Sequence, residues 1–362
     1  MWVDFTGVKP AGSEPAGTCR QCRSGKIELM NILFLTRYFY PHIGGVEKQV
    51  LKLSQELIKR GHQVTIITLK HDSHLKNQEI VSKIKIIRIP YLKIKYFGLL
   101  SIWLWLLKNI KLLKQADIVH SHSVLIWYWP FRLLLPKKPV YVTFHGWEGI
   151  YPIPKKNILI RKIDAFLAWK NITIGDYVVK HYRIKADKIM YAAVDLPKQQ
   201  SQKKDYRRLI YVGRLDPDTG LEKILQALSY LKGFTIDFCG GGPLADECKK
   251  FGMVHGFVEP NLFLAKAFIC LSPGGASILE AFTYKCLIIT TYNNPVKKDY
   301  LLMTPFASSI IVKETPSALA QAIKYYSQHP SAAQAKINQA YAWVKTQNWE
   351  QAVKLYLKLW QQ

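Results

Sequence analysis

The sequence predicts an α/β fold of two doubly wound parallel-sheet domains facing each other across a cleft. Three observations carry this reading. Short, mostly apolar runs alternate with amphipathic stretches from residue 31 to residue 291. The alternation breaks once, in the polar, unpatterned segment that begins Leu196-Pro197 and ends Lys204-Asp205, and then restarts. Glycine turns follow the first strand of each half.

In the first half, residues 31–36, 64–69, 84–89, 117–120 and 140–144 read as strands, with a shorter one over 171–175. Gly44-Gly45 lies in the turn after the first strand. Lys48 to Arg60 is helical, with Leu51, Leu53, Leu57 and Ile58 forming an apolar face, and Gly61-His62 stops it. This is a βαβ unit without G-x-G-x-x-G, so the dinucleotide fingerprint is not met. Residues 189–195 end the domain. The second half restarts at Arg208 with a strand, followed by helix 220–231, strand 234–239, the Gly240-Gly-Gly-Pro243 turn and helix 244–251. Strands near 253–258 and 268–272, helix 277–284, strand 287–291 and helices 333–344 and 349–360 complete it.

The strand-turn-helix segment from Ile210 to Leu228 is the most informative. It sets Gly213-Arg214 at the carboxyl end of a strand and just before a helix start. Free N–H groups at a helix N-terminus suit an anion, and a guanidinium grips phosphate oxygens in pairs. An ordinary turn carrying a surface Arg is the alternative.

The chain has 362 residues, 49% hydrophobic and 21% charged, enough for two cores and too apolar for disorder. Its net charge is +26. Lys and Arg outnumber Asp and Glu by 27 to 10 in residues 31–195, by 20 to 12 in 196–362 and by 4 to 3 in 1–30. The excess therefore sits on the first domain and favours an anionic partner. No zinc finger, helix-turn-helix signature or RNP-type motif accompanies it, which argues against nucleic acid. The apolar run 97–107 is too short to span a bilayer, for which about 20 residues are needed. Lys93, Lys95, Lys108, Lys111 and Lys114 flank it; a second aromatic run, 125–135, precedes Lys137 and Lys138. Apolar helices with interleaved aromatic and basic residues suit attachment in the membrane interface; core helices with outward lysines are the other reading. Cys239, Cys248, Cys270 and Cys286 fall in predicted core elements. Cys19-x-x-Cys22 has no second pair, so zinc is not expected. Residues 1–29 lack apolar periodicity and read as a disordered extension or a misassigned start, with Met30 directly before the first strand. A reducing, cytoplasmic setting is expected.

Taken in order, Gly44-Gly45-Val46-Glu47, Asp117-Ile-Val-His120-Ser-His122, Thr143-Phe-His145-Gly146, Val212-Gly213-Arg214, Gly240-Gly-Gly-Pro243, Gly256-Phe-Val258, Ser272-Pro273 and Leu279-Glu280-Ala281 resemble the retaining, nucleotide-sugar-dependent glycosyltransferases of family 4. The resemblance covers residues 30–362 and includes the closing Asn348-Trp349-Glu350 helix. It implies the GT-B fold of two Rossmann-like domains. The expected division is an acceptor-side domain over 30–195, a linker over 196–207, a nucleotide-sugar-binding domain over 208–345, and a last helix over 346–362 that packs back on the first domain.

The resemblance also implies the site. Arg214 would hold the donor diphosphate, with the backbone of Gly44 and Gly45 facing it across the cleft, and Glu280 would accept the ribose hydroxyls. His145, at a strand's carboxyl end, would bond a sugar hydroxyl or a phosphate. Arg214, Glu280 and His145 are the catalytic candidates. Thr219, Gly241, Val258, Gly274, Gly275 and Ser277 join the donor-binding set. Two departures stand out. Thr219 replaces the family's lysine before Gly220, with Lys223 one turn further on as a substitute cation. Ser272 and the Pro273-Gly274-Gly275 loop stand where the family has its first glutamate. His120 and His122 alternate on one strand face, where a structural role, an acceptor-site role or two metal ligands at i, i+2 are open. No clear third carboxylate or Cys ligand accompanies them, and no metal or other cofactor is expected.

The function expected is transfer of a sugar from a UDP- or GDP-sugar to a lipid-linked or envelope saccharide, with retention, on the inner face of the cytoplasmic membrane. The expected partners are the donor, the acceptor and an anionic membrane surface. A degenerate nucleotide-sugar-binding protein, or a sugar-nucleotide epimerase of the same fold, is the alternative.

Overall fold

A computed structural model describes residues 29–42, 44–90, 97–197 and 203–361. Cys19 and Cys22, most of the 1–29 segment, Lys93, Lys95 and the middle of the linker lie outside the described residues. The first sheet holds β1 (Asn31–Thr36), β2 (Gln63–Leu69), β3 (Gln78–Val81), β4 (Ile84–Ile89), β5 (Ile118–His122), β6 (Val140–Phe144), β7 (Lys170–Thr173) and β8 (Lys188–Ile189). Their spatial order is β3-β4-β2-β1-β5-β6-β7-β8. All neighbours are parallel except β3 and β4. The second sheet holds β9 (Asp205–Val212), β10 (Thr235–Cys239), β11 (Met253–Gly256), β12 (Ala267–Leu271), β13 (Leu287–Thr290) and β14 (Ile311–Val312). It runs β11-β10-β9-β12-β13-β14 and is parallel throughout.

Burial explains the strand sequences. Every residue of β5, β6, β12 and β13 is buried, as helices on both sheet faces require. The helix Gly45–Lys59 buries Val50, Leu53, Ser54 and Leu57 on one face. The helix Leu221–Leu228 buries Leu221, Ile224, Leu225, Ala227 and Leu228. In each sheet the first strand sits where the chain's direction of travel reverses, between β2 and β5 and between β10 and β12. Such a switch point leaves a crevice at the strands' carboxyl ends.

Two elements tie the halves together. The terminal helix Trp349–Trp360 packs its Val353, Tyr356, Leu359 and Trp360 into the first domain's core beside Ile32, Phe34 and Tyr141. The helix Pro295–Leu302 belongs to the second domain, yet Val296 and Tyr300 pack against the first. There Tyr300 meets Tyr177 with ring centroids 4.8 Å apart, and Asp299 binds Lys180 at 2.6 Å and His181 at 2.7 Å.

The aromatic runs divide between core and surface. Trp127, Tyr128 and Phe131 are buried, as are Ile102 and Leu106 of the helix Phe97–Lys108. Phe97, Leu100, Leu104 and Leu107 of that helix are exposed, together with Leu133 and Leu134. Among the described residues no helix is long and apolar enough to cross a membrane.

Candidate active site between two sheet edges

The site is built from the carboxyl ends of β1, β5 and β6 on one side and β9 and β12 on the other. From the first domain, Gly44 caps the helix Gly45–Lys59 in extended backbone. A side chain at Gly45 would meet nothing within 4 Å, so its backbone faces open space. One turn into this helix, Lys48 reaches across to the second domain. Its Nζ lies 2.7 Å from Glu280 Oε1 and 3.4 Å from Glu259 Oε2.

From the second domain, β9 ends in Gly213-Arg214. Leu215 N–H donates to the Gly241 carbonyl at 2.9 Å, so the triple-glycine turn braces this one. A Cβ at Gly240 would strike the Gly213 carbonyl, and so only glycine permits the approach. Arg214 projects with 60% of its side chain exposed; its Nη1 lies 2.8 Å from Asp216 and its Nη2 2.7 Å from Asp218. Two carboxylates thus already fork the guanidinium. Across the domain boundary Gly149 abuts Asp218 closely.

After β12, the Pro273-Gly274-Gly275 turn leads into the helix Ala276–Thr283. Gly274 and Gly275 take φ of +133° and +63° above the Tyr300 ring. Ser277 Oγ donates to the Gly274 carbonyl at 2.8 Å and lies 2.7 Å from Ser272 Oγ, which stiffens the turn. Glu280 follows on the same helix with 22% of its side chain exposed. Val258 is an exposed residue of the loop after β11.

The Thr219 hydroxyl is engaged internally. It is buried, donates to the Asp216 carbonyl and takes a bond from Tyr211 OH at 3.2 Å. Lys223, expected as a substitute cation, is instead held by backbone: its Nζ donates to the carbonyls of Tyr292 and Glu314 at 2.9 Å each. Lys297, Tyr300, Lys48 and the Asp216–Asp218 pair escaped the sequence reading. The signal for Lys297 was slight: an Asn-Pro helix start two residues before it, with Asn294 Oδ1 capping its N–H.

His145 follows β6, and its Nε2 lies 2.8 Å from His122 Nδ1. Burial of the ring, then the nearby Arg161, pushes its pKa down to about 3. Burial does the same to His120, down to about 3, and holds His122 well below the usual histidine range. All three rings are neutral at pH 7. Trp360 Nε1–H donates to His120 Nδ1 at 3.0 Å, which leaves His120 Nε2 to donate to Thr143 Oγ1 at 2.8 Å. Both His120 nitrogens are therefore committed inside the domain, whereas His145 stays at the edge of a small enclosed space lined by Gln49, His122 and Trp349.

Two facing Rossmann-like domains with these edges turned into one cleft define the GT-B class. Within that class the similarity is to family 4: the profile described as "Glycosyltransferase Family 4" matches residues 43–192. The "Phosphatidylinositol N-acetylglucosaminyltransferase GPI3 subunit" of Saccharomyces cerevisiae is 36% identical over 96 residues, 26% of this chain and 21% of that protein. The "GDP-mannose:cellobiosyl-diphosphopolyprenol alpha-mannosyltransferase" of Xanthomonas campestris is 25% identical over 218 residues, 55% of this chain and 56% of that one. The match thus spans about a fifth of the yeast protein's length and about half of the bacterial one's. Among solved structures, the sucrose-phosphate synthase of Thermosynechococcus elongatus superposes with a TM-score of 0.73 at 16% identity, covering 92% of this chain and 98% of that one.

Proposed function

We propose that this protein transfers a sugar from a UDP- or GDP-sugar to a lipid-linked saccharide or lipid acceptor at a membrane surface, retaining the anomeric configuration. The observation that carries the reading is the contact of Lys48, one turn into the helix Gly45–Lys59, with Glu280 of the second domain, on the helix that follows the Pro273 turn packed against Gly213-Arg214. Both curated relatives bear names of transferases with lipid acceptors, which supports that acceptor class.

In this reading the bond from the anomeric carbon to the diphosphate oxygen breaks as the acceptor oxygen bonds from the same face. The acceptor proton passes to the departing phosphate. Arg214 and the Gly275 N–H at the start of the helix Ala276–Thr283 stabilise the charge that builds on the diphosphate. Glu280 holds the ribose, and neutral His145 offers a hydrogen bond to a donor hydroxyl without adding charge. No metal is needed for these steps.

The test is turnover of a UDP- and GDP-sugar panel with polyprenyl diphosphate saccharides and phosphatidylinositol in anionic vesicles. Arg214→Ala removes charge-assisted bonds of about 1.5–3 kcal/mol, a loss of about 10- to 150-fold in donor turnover. Turnover unaffected by this change would defeat the assignment. A second reading, a nucleotide-sugar-binding protein without turnover, is favoured by the two carboxylates on Arg214 and the lysine on Glu280. It predicts nucleotide binding with no transfer to any acceptor.

A further inference from the structure

Lys297 is a buried lysine that the chemistry above does not use. Only 5% of the residue is exposed. It sits in the first turn of the helix Pro295–Leu302, at the junction of the domains. Its ammonium donates to the Pro273 carbonyl and lies 4.9 Å from the Tyr300 ring. Among the described residues no carboxylate stands within ion-pair distance of it. An ammonium held away from water with a carbonyl and a ring for company is unfavourable unless something else needs its charge. Burial pushes its pKa down to about 7, with Asp218 raising it and Arg214 lowering it.

Its surroundings say what would need that charge. Pro273 packs on Gly213, so the carbonyl that Lys297 grips belongs to the turn resting on the Arg214 turn. Tyr300, under Lys297, is also the floor of Gly274 and Gly275. The other cations of the cleft are committed: Arg214 to Asp216 and Asp218, Lys48 to Glu280 and Glu259. Lys223 is fixed between two carbonyls. Lys297 is thus the cation at this turn whose charge no carboxylate balances.

We propose that Lys297 is a binding residue for the donor's diphosphate, supplying from beneath the Pro273–Gly275 turn the positive charge that Thr219 does not provide. The inference rests on the donor-site reading and deepens it. The ligand class is a nucleoside diphosphate, and what Lys297 recognises is its pyrophosphate portion rather than base or ribose. A Cβ at Gly274 or Gly275 would strike Tyr300, the ring beside which the Lys297 ammonium lies, so glycine keeps this turn close to the lysine.

The experiment is calorimetric titration of UDP, GDP, the two nucleosides and inorganic pyrophosphate into wild type, Lys297→Met and Lys297→Gln. Gln keeps a donor for the Pro273 carbonyl and so covers the case in which Met fails to fold; thermal unfolding reports on both. The expected result is a diphosphate and pyrophosphate affinity at least tenfold weaker in the charge-free variants, with nucleoside affinity within twofold of wild type. Folded variants that bind diphosphate as wild type does would overturn the role of Lys297 alone. Equal losses for nucleoside and diphosphate would also overturn it, assigning the residue to packing. If wild type binds none of these ligands, the donor-site reading itself falls, and Lys297 falls with it.

Discussion

Lys48 Nζ lies 2.7 Å from Glu280 Oε1, joining the first helix of one domain to the helix that follows β12 in the other. The pair crosses the cleft at the carboxylate proposed to hold the ribose. Glu280 cannot give both oxygens to ribose hydroxyls and keep Lys48 unchanged, so ligand and ion pair share it. Both side chains are partly exposed, so the pair itself adds only about 0.2–1 kcal/mol to stability. Its effect should appear in binding. Glu280→Ala is expected to weaken nucleoside diphosphate binding about tenfold, and less in a Lys48→Ala background. A double-mutant cycle on affinity should give a coupling of about 0.5–3 kcal/mol. Strictly additive losses would separate the ion pair from the donor site.

Asp164 offers a pH-dependent signature of the first domain. It is 3% exposed, and Trp129 Nε1–H donates to its Oδ1 at 2.7 Å. Burial raises its pKa to about 7, against the opposing pull of the Trp129 bond and Arg161. The folded state therefore holds a proton that the unfolded chain releases near pH 4. Stability from this group is full below pH 4 and declines as pH rises toward 7. Asp164→Asn keeps the acceptor for Trp129 without the charge. It should raise the urea midpoint at pH 8 and match wild type near pH 4. A variant less stable at both values would show that the carboxylate is wanted ionised.

The fold was legible because buried parallel strands write themselves as short, mostly apolar runs: 31–36, 84–89 and 140–144 coincide with β1, β4 and β6. The weak strands were not. β3, with Gln78 and Glu79 on an antiparallel edge, and the two-residue β8 and β14 carry no run long enough to read. The helix Pro295–Leu302 was missed because its apolar residues face two domains and form no single stripe. That omission hid Lys297 and Tyr300. Arg214 and Glu280 could be placed by motif, but their partners could not: Asp216 and Asp218 look like ordinary turn residues, and Lys48 meets Glu280 across 232 positions of sequence. Lys223 misled because position along a helix does not give the direction of a long side chain.

Trp360 ties the end of the chain to the first domain. Its Nε1–H donates to His120 Nδ1 at 3.0 Å in a fully buried setting. Trp360→Phe keeps most of the packing and leaves that nitrogen without a donor, at a cost of about 1–3 kcal/mol. His120 would then be free to change tautomer, releasing its bond to Thr143. Urea unfolding should show the loss, and imidazole nitrogen shifts should show the tautomer change. Unchanged shifts in a destabilised variant would assign the whole effect to lost volume.

The exposed apolar stripe makes a prediction about where the protein works. Phe97, Leu100, Leu104 and Leu107 recur at spacings of three and four, the period that lines one side of a helix. Lys138 Nζ donates to the Lys114 carbonyl at 2.9 Å, and Leu133 and Leu134, a few residues before it, are exposed as well. Lys111, Lys114 and Lys137, all exposed, supply the basic border. Such a surface suits an interface in which leucines enter the headgroup boundary and lysines meet anionic lipid. Each leucine should contribute about 1 kcal/mol and each lysine a similar amount. Leu100→Ser with Leu104→Ser should therefore lower partitioning onto anionic vesicles about tenfold or more in a flotation assay. Raising salt should weaken wild-type binding by screening the lysines. Turnover of a water-soluble acceptor should be unchanged in the double variant, since neither leucine faces the cleft, while turnover of a vesicle-borne acceptor should fall with the binding. Full vesicle binding by the double variant would move the membrane face elsewhere on the molecule.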